Sequence, residues 1–262
     1  MKIVRTIAAM RGARTGLEDV GLVPTMGAFH EGHIALFRAA RDECRHVVVS
    51  LFVNPAQFGP REDLERYPRD ERRDAERAEA AGVDVLFVPS AEELYPDGFG
   101  TWVEVGDAGA EGAARPGHFR GVATICLKLF NIVRPDVAYF GQKDAQQAVV
   151  LRRLVRDLNL DLRLRILPTV RDEDGLALSS RNAYLSREER RRALALPRAL
   201  ETGRDAFRAG ADPVAAARTS LNGVDPEYVD VLELGNARLL TAAARVGSTR
   251  LIDNVVLEGD LQ

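Results

Sequence analysis

The sequence predicts an α/β protein with a doubly wound parallel sheet, followed by a second, smaller α+β domain. Up to about residue 169, short apolar runs alternate with amphipathic runs of helical length. That alternation is typical of a parallel sheet covered by helices. Beyond this point the chain becomes polar and then rich in arginine. We therefore expect domains at residues 1–169 and 170–262.

The same apolar and amphipathic runs predict the individual strands and helices. In the first domain, apolar runs predict strands at 21–24, 47–53, 83–88, 137–140 and 162–167, and amphipathic spacing predicts helices at 34–44, 72–81, 122–133 and 145–158. In the second domain, a polar loop at 169–182 precedes predicted helices at 187–209 and 213–221 and strands at 228–234 and 250–257. In such sheets, ligands bind at the carboxyl ends of the strands, where the strand order switches. Three polar clusters follow predicted strands directly, at residues 24–33, 54–57 and 141–144.

Composition and net charge limit the classes of protein to which this chain can belong. An apolar fraction of 46% and a charged fraction of 29% are those of a globular protein, and a net charge of −3 argues against nucleic-acid binding. No apolar stretch reaches the ~18 residues of a membrane span, and no signal peptide is evident. The two cysteines, Cys44 and Cys126, are too few for a disulfide framework, so we expect a reduced, cytoplasmic protein.

The first cluster, PTMGAFHEGH at residues 24–33, is the most informative motif. His30 and His33 are three residues apart, and Gly32 has no side chain to keep a flat ring from the backbone. Together with the amides at the start of the next helix, they predict a site for the polyphosphate of ATP. The alternatives are an ordinary surface loop or an HxxH metal pair. Two histidines alone make an incomplete zinc site.

The second cluster, Gly141-Gln142-Lys143-Asp144, ends a strand and begins a helix. Arginine supplies nearly all of the positive charge in this chain, so a lysine in this loop is unusual. Its ammonium group could neutralise a phosphate, and Asp144 could cap the helix or bind ribose hydroxyls. The alternative is a capped helix with a solvated lysine. Either Gln146 or Gln147 could face the cleft and bind substrate.

Two further segments carry candidate polar groups. Asn54 and Gln57 lie on a proline-stiffened turn, and their amides could bind the hydroxyl and carboxylate groups of a small polar acid. Ser179, Ser180 and Arg181 lie in the loop between the domains and could close over a triphosphate, although a helix-capping serine beside a surface arginine is the alternative. No nucleophile elbow or P-loop is present, which favours catalysis by positioning and charge stabilisation.

In combination, these motifs resemble the pantothenate synthetases (pantoate–β-alanine ligases). The resemblance rests on PTMGAFHEGH, FVNPAQF with RYPRD, RPGHFRGVATICLKLFNIVRPD, YFGQKDAQQ and PTVRDEDGLALSSRN, in order along nearly the whole chain. It implies a Rossmann-like nucleotide-binding domain related to class I aminoacyl-tRNA synthetases, a small C-terminal lid domain, and a cytoplasmic homodimer. HEGH corresponds to the synthetases' HIGH signature, and LSSRN stands where their KMSKS loop would be.

The resemblance also implies roles for individual residues. The ATP-binding residues would be Met26, Gly27, Ala28, Phe29, His30, Glu31, Gly32, His33, Gly141, Gln142, Lys143, Asp144, Val170, Leu178, Ser179, Ser180 and Arg181. Among them, His30, His33, Lys143 and Arg181 would be catalytic, with His33 as proton donor. Asn54, Gln57 and Gln147 would bind pantoate and β-alanine. Leu178 stands where the family usually has methionine. The stretch Arg72-Arg73-Asp74 is less acidic than is common, so the protein ligands of the expected Mg²⁺ stay unassigned.

The implied reaction has two steps. The carboxylate of pantoate attacks the α-phosphorus of ATP to give pantoyl adenylate and pyrophosphate, and the amine of β-alanine then displaces AMP.

Two alternative functions remain open from the sequence. One is a nucleotidylyltransferase that forms a dinucleotide, which would not explain NPAQF or AQQ. The other is a catalytically idle module that binds a nucleotide or RNA, which the negative net charge and the intact motifs oppose.

Overall fold

The computed structural model describes residues 1–60, 62–106 and 109–261. The chain forms two compact units. The first comprises Met1–Ala108, Arg115–Phe140 and Val150–Arg165, and the second comprises Gly109–Ala114, Gly141–Val149 and Ile166–Gln262. Among the described residues, no helix has the length and apolar character needed to cross a membrane.

A six-stranded parallel sheet forms the centre of the N-terminal half of the chain. Its strands are β1 (Lys2–Val4), β2 (Val20–Thr25), β3 (His46–Leu51), β4 (Val85–Phe87), β5 (Val137–Gly141) and β6 (Arg163–Leu167), in the spatial order β1-β4-β3-β2-β5-β6. The connecting helices are α1 (Ile7–Arg14), α2 (Glu31–Glu43), α3 (Glu71–Ala80), α4 (Ala91–Leu94), α5 (Gly109–Ala114), α6 (His118–Val133) and α7 (Ala145–Asp157). The chain winds outward in one direction from β2 through β4 and in the other from β5 to β6. The switch point therefore lies between β2 and β5.

Burial explains why the central strands form. Every residue of β2 except Pro24 is buried, and the core of β3 is a run of three valines whose β-branched side chains favour extended backbone. A strand covered on both faces needs such a continuous apolar run rather than an alternating one. Burying each valine or leucine contributes about 1.5–3 kcal/mol relative to leaving it exposed.

Pro24 marks the place where β2 loses one of its neighbours. The pairing of β2 with β5 includes Gly21 and Leu22, whereas the pairing with β3 continues to Thr25. Proline has no N–H to donate, so it is best tolerated where a strand has a neighbour on only one side. The segment after β2 consequently begins at the switch point, where parallel sheets commonly bind ligands.

The second unit contains a three-stranded antiparallel sheet with helices packed on it. The strands are β7 (Asp225–Leu234), β8 (Ala237–Val246) and β9 (Thr249–Glu258), and the helices are α8 (Arg187–Ala193), α9 (Ala195–Arg208) and α10 (Pro213–Ser220). Leu196 and Leu200 of α9 are buried in one apolar cluster with Leu240 of β8 and Val255 of β9. Gly203 allows a close approach there, because a Cβ at this position would collide with the carbonyl oxygen of Pro213.

The predicted fold class is confirmed, and several element boundaries are corrected. The helix predicted at 34–44 begins at Glu31 and ends at Glu43, so Cys44 caps it rather than belonging to it. The helix predicted at 187–209 is two helices, interrupted at Leu194. Strands β1 and β8 and helices α1, α4 and α5 were not predicted. The division between residues 169 and 170 stays a prediction.

Candidate active site

The loop that follows β2 has an unusual backbone. Gly27 and Ala28 both have positive φ angles, of 85° and 53°. Glycine adopts such angles readily, whereas alanine does so at a cost. A Cβ at residue 27 would also lie 2.9 Å from Oδ2 of Asp74. Only glycine suits this position, so the Met-Gly-Ala sequence reflects the shape of the loop.

Helix α3 holds this loop at Phe29. The carboxylate of Asp74 accepts the backbone N–H groups of Ala28 at 2.8 Å and Phe29 at 2.7 Å. One turn further on, Arg77 donates to the carbonyl oxygen of Phe29 at 2.6 Å and to Glu31 at 2.8 Å. Asp74 is only 2% exposed. Its burial raises the pKa of the carboxyl group, and the two N–H bonds only partly offset this effect.

His30 and His33 form a reciprocal cap at the start of α2. Nδ1 of His30 accepts the N–H of Gly32 at 3.2 Å, and Nδ1 of His33 accepts the N–H of His30 at 3.3 Å. The arrangement is a capping box in which both side chains are histidines, and the rings lie 4.2 Å apart. The two imidazoles are thus fixed to the helix whose amides point toward the end of β2.

The cap also determines where the histidines carry their protons. An imidazole nitrogen that accepts a hydrogen bond has no proton of its own, so each neutral ring carries its proton on Nε2. The N–H group of each neutral ring therefore lies on the side away from the cap. The HxxH metal alternative fits poorly, because a neutral ring whose Nδ1 accepts an N–H has its proton on Nε2 and no lone pair there for a metal. Among the described residues, no group of three potential metal-binding side chains occurs.

The amides of Asn54 and Gln57 are oriented by their neighbours. Tyr95 donates its hydroxyl to Oδ1 of Asn54 at 2.9 Å, which directs Nδ2 of Asn54 toward Oε1 of Gln57 at 3.0 Å. Nε2 of Gln57 is then the donor end of its amide, and it lies 3.0 Å from Sδ of Met26. The turn therefore offers an N–H donor beside the loop after β2, as a carboxylate or hydroxyl ligand requires.

The backbone of the same turn is held by helix α6 and the residues before it. His118 bonds the carbonyl oxygen of Gln57 through Nδ1 at 2.8 Å, and Arg115 lies 3.0 Å from its Nε2. Arg115 also binds Glu62 in a two-bond ion pair. Burial opposes ionisation of Glu62, but the bonds from Arg115 outweigh it and lower the pKa of Glu62. The RPGH motif thus supports the amide pair.

In the second unit, the motif at residues 141–144 forms a short 3-10 helix that leads into α7. The side chain of Lys143 is 19% exposed, and its role at a phosphate stays a prediction. Its Nζ lies 3.9 Å from the half-exposed carboxylate of Asp144. Gln146 is buried and accepts the backbone N–H of Glu111 in α5. Gln147 is half-buried and stays the predicted substrate-binding glutamine.

Within the polar segment at 169–182, residues 170–178 form a hairpin. Val170 accepts the N–H of Leu178 at 3.0 Å, and Arg190 of α8 binds Asp172 at 2.6 Å and Asp174 at 2.8 Å. Ser179 accepts the N–H of Arg181 and so caps the short 3-10 helix Ser180–Tyr184. A helix-capping serine is the alternative to a phosphate-binding role for Ser179. The roles predicted for Ser180 and Arg181 at a triphosphate stay predictions.

The structure thus groups the predicted residues into two sets. In the first unit, Gln57 joins the loop at residues 26–33 to the turn at residues 54–57 through its contact with Met26. The second unit carries the predicted residues at 141–147 and those at 170 and 178–181. Sequence reasoning did not identify Asp74, Tyr95 or His118 as parts of the site. A local signal existed only for His118, which lies in the motif RPGHFRGV.

Comparisons with known proteins agree with the motifs. A family model described as pantoate-beta-alanine ligase matches residues 2–256. A pantothenate synthetase of Chloroflexus aurantiacus is 52% identical over 99% of both chains. The solved pantothenate synthetase from Thermus thermophilus has a TM-score of 0.93 at 45% identity, covering 99% of this chain and 100% of its own. A pantoate-beta-alanine ligase from Francisella tularensis, solved in complex with beta-gamma ATP and beta-alanine, has a TM-score of 0.85 at 35% identity over the whole of both chains.

Proposed function

The chain belongs to the pantoate–β-alanine ligase family, and we propose that its candidate site condenses pantoate with β-alanine through a pantoyl adenylate. The enzyme is a ligase that forms a carbon–nitrogen bond in an ATP-dependent reaction. In the first step a carboxylate oxygen of pantoate bonds to the α-phosphorus, and pyrophosphate leaves. In the second step the amine of β-alanine attacks the activated carbonyl, AMP leaves and the nitrogen loses a proton. The products are pantothenate, AMP and pyrophosphate.

The observation that carries this proposal is the pair of capped histidines at the end of β2. Nδ1 of each ring accepts a backbone N–H, so a neutral imidazole would carry its proton on Nε2, the atom with which we propose that it donates to a phosphate oxygen. A carboxylate needs no general base to attack phosphorus. The main task of the protein is therefore alignment, which can be worth about 7–11 kcal/mol, together with stabilisation of charge on the leaving group.

The oriented amides supply the acid-binding part of the proposal. Gln57 presents Nε2 as a donor because Asn54 occupies its Oε1. A donor at this place suits the carboxylate of pantoate before activation and that of β-alanine afterwards. We therefore propose that Asn54 and Gln57 bind the substrate. We propose the same role for Gln147 because it lies in the motif YFGQKDAQQ. Met26, Gly27, Ala28 and Phe29 supply the backbone against which the nucleotide would lie.

We propose phosphate-binding roles for Lys143 and Arg181 on the strength of their motifs. Lys143 has a side chain that is largely buried in a chain whose other cations are nearly all arginines. Gly141, Gln142, Asp144, Val170, Leu178, Ser179 and Ser180 complete the proposed nucleotide-binding set. Lys143 and Arg181 would stabilise the negative charge on the departing pyrophosphate.

Magnesium is also part of the proposal. When bound to ATP, Mg²⁺ would offset charge on the phosphate oxygens while keeping several waters, as it usually does. Both oxygens of Asp74 already accept backbone N–H groups, so we do not propose it as a ligand. Of the described residues, none form a cluster of three potential ligands. We therefore propose that the phosphates, rather than a protein cage, hold the ion.

A product assay tests the proposed function. Purified protein with ATP, Mg²⁺, pantoate and β-alanine should yield pantothenate and AMP by mass spectrometry, with no pantothenate when any substrate is left out. A dinucleotide product would instead indicate a nucleotidylyltransferase, and bound but unconsumed ATP would indicate an idle module.

We further propose a cytoplasmic homodimer. Sedimentation at micromolar protein tests the dimer, and a monomer there would contradict it.

A further inference from the structure

The motif RLIDN at residues 250–254 lies far from every predicted site residue along the chain, yet its last residue contacts one of them. Asn254 lies on β9 and is only 2% exposed. We propose that Asn254 is a positioning residue that holds the backbone of the turn carrying Lys143. This inference rests on the proposed function, because it acts through the phosphate-binding role of Lys143.

Three hydrogen bonds join Asn254 to this turn. Its Nδ2 donates to the carbonyl oxygens of Gln142 at 2.9 Å and Lys143 at 3.0 Å. Its Oδ1 accepts Nε2 of Gln142 at 2.8 Å. Both N–H groups and the oxygen of the amide are thus used. Rotating the amide by 180° would place its oxygen against two carbonyl oxygens, so only one orientation is compatible with the turn.

The turn depends on this contact because it has no side-chain cap of its own. Gly141, which precedes the 3-10 helix, has no side chain to cap it. Asn254 supplies a partner from 111 residues away in sequence. By fixing the carbonyl of Lys143, it restricts the direction in which the Lys143 side chain leaves the backbone. Preorganisation of this kind matters because a misplacement of about 1 Å can cost about 10²-fold in rate.

Asp253, the preceding residue, ties the same strand to the hairpin at 170–178. Its carboxylate binds Arg171 through two bonds, at 2.7 and 3.0 Å, and its side chain is 1% exposed. Arg171 also donates to the carbonyl oxygen of Asn254 at 3.3 Å. Two consecutive residues of β9 therefore hold the turn of Lys143 and the base of the hairpin. Both segments carry proposed nucleotide-binding residues.

The test uses Asn254→Asp, which keeps the shape of the side chain but replaces both N–H donors with an oxygen. The readout is pantoate-dependent exchange of labelled pyrophosphate into ATP, which reports the first step alone. We expect exchange to fall about 10²-fold, the scale of a small misplacement. Aminolysis of supplied pantoyl adenylate should change little, because no pyrophosphate leaves in that step.

Thr241→Val is the matched control. Thr241 is similarly buried, lies opposite Asn254 in the β8–β9 register and bonds Asp230 instead.

A double-mutant cycle distinguishes positioning from general stabilisation. If Asn254 acts through Lys143, then Asn254→Asp should lower exchange far less in a Lys143→Ala background than in the wild type. Equal effects in both backgrounds, or normal exchange in folded Asn254→Asp, would overturn the inference. If Asn254→Asp does not fold, the smaller and uncharged Asn254→Ser replaces it and must show the same dependence on Lys143. A wild-type enzyme that shows no exchange, and in which neither pantoyl adenylate nor AMP precedes pantothenate, would instead overturn the two-step proposed function.

Discussion

The carboxylate of Asp74 accepts the backbone N–H of Phe29 at 2.7 Å, although 45 residues separate the two along the chain. Arg77, one turn further along α3, donates to the carbonyl oxygen of Phe29. One helix thus holds a single residue by both its N–H and its C=O. The loop before it contains two positive φ angles, and backbone strain of this kind costs about 1–3 kcal/mol at a non-glycine residue. Asp74 and Arg77 stabilise a loop that would otherwise relax.

Replacing Asp74 by asparagine should loosen this loop. Asparagine has one acceptor oxygen instead of two, so one buried N–H loses its partner, which costs about 1–3 kcal/mol of stability. We expect kcat/KM for ATP to fall about tenfold or more, because the histidines follow this loop directly. Thermal unfolding and steady-state kinetics measure the two effects. Glu76→Gln, on the exposed face of the same helix, is the control. Unchanged kinetics in Asp74→Asn would contradict the positioning role.

The histidine cap allows helix capping and chemistry to be separated. Asparagine is a good N-cap residue and glutamine a good third residue of a capping box, so His30→Asn and His33→Gln should keep the start of α2 intact. Both variants should unfold near the wild-type temperature, whereas adenylate formation should fall about 10²-fold for loss of a preorganised donor. His30→Ala should lose stability as well. Activity retained in His33→Gln would show that the imidazole only caps the helix.

Tyr95 should affect pantoate more than ATP. In Tyr95→Phe the hydroxyl that orients Asn54 is missing, so Oδ1 of Asn54 keeps only its bond from the N–H of Ala56. Nδ2 of Asn54 still donates to the carbonyl oxygen of Gly121, so the amides of Asn54 and Gln57 should be held less firmly rather than released. We expect KM for pantoate to rise by about tenfold, since one hydrogen bond contributes about 0.5–1.5 kcal/mol, while KM for ATP stays near the wild-type value. Tyr139→Phe is the control, because that hydroxyl bonds Glu43. A parallel rise in both constants would oppose the assignment.

Glu43 should make stability depend on pH. Hydrogen bonds from Arg165 chiefly lower its pKa below the usual 4.5, with burial opposing and Tyr139 and Arg163 assisting. A carboxyl group with a lowered folded-state pKa stabilises the fold above about pH 4.5 and loses that contribution as the pH falls through the lowered value. The difference in unfolding free energy between the wild type and Glu43→Gln should therefore shrink in acid. Chemical denaturation at pH 7 and pH 3 measures it, with the exposed Glu65→Gln as control. A difference independent of pH would be inconsistent with the ion pairs.

The sequence was sufficient for features that depend on local pattern. The buried runs of β2 and β3 and the motifs at their ends were predicted, because a strand covered on both faces requires consecutive apolar residues. Strand β8 was missed because its segment ARLLTAAARV is rich in alanine and leucine, which favour a helix. It becomes a strand only by pairing with β7 and β9. Tertiary pairing overrides local propensity here.

The residues that hold the site were not predictable in the same way. Asp74 lies in a charged helix whose other acids are exposed, and nothing in its neighbourhood in sequence indicates two bonds to residues 28 and 29. Asn254 contacts residues 142 and 143 only because β9 lies beside the turn. Such contacts arise from the fold, whereas the histidine pair and Lys143 carry their chemistry in the motif itself.

The pantoyl adenylate is the central claim, and pyrophosphate exchange tests it most directly. Enzyme, Mg²⁺, ATP and labelled pyrophosphate should move label into ATP only when pantoate is added, and β-alanine should not be needed. His33→Gln and Lys143→Ala should both depress this exchange. Rapid-quench sampling of a single turnover should then detect pantoyl adenylate or AMP before pantothenate. An enzyme that makes pantothenate with no pantoate-dependent exchange, and with neither species preceding the product, would contradict the two-step account.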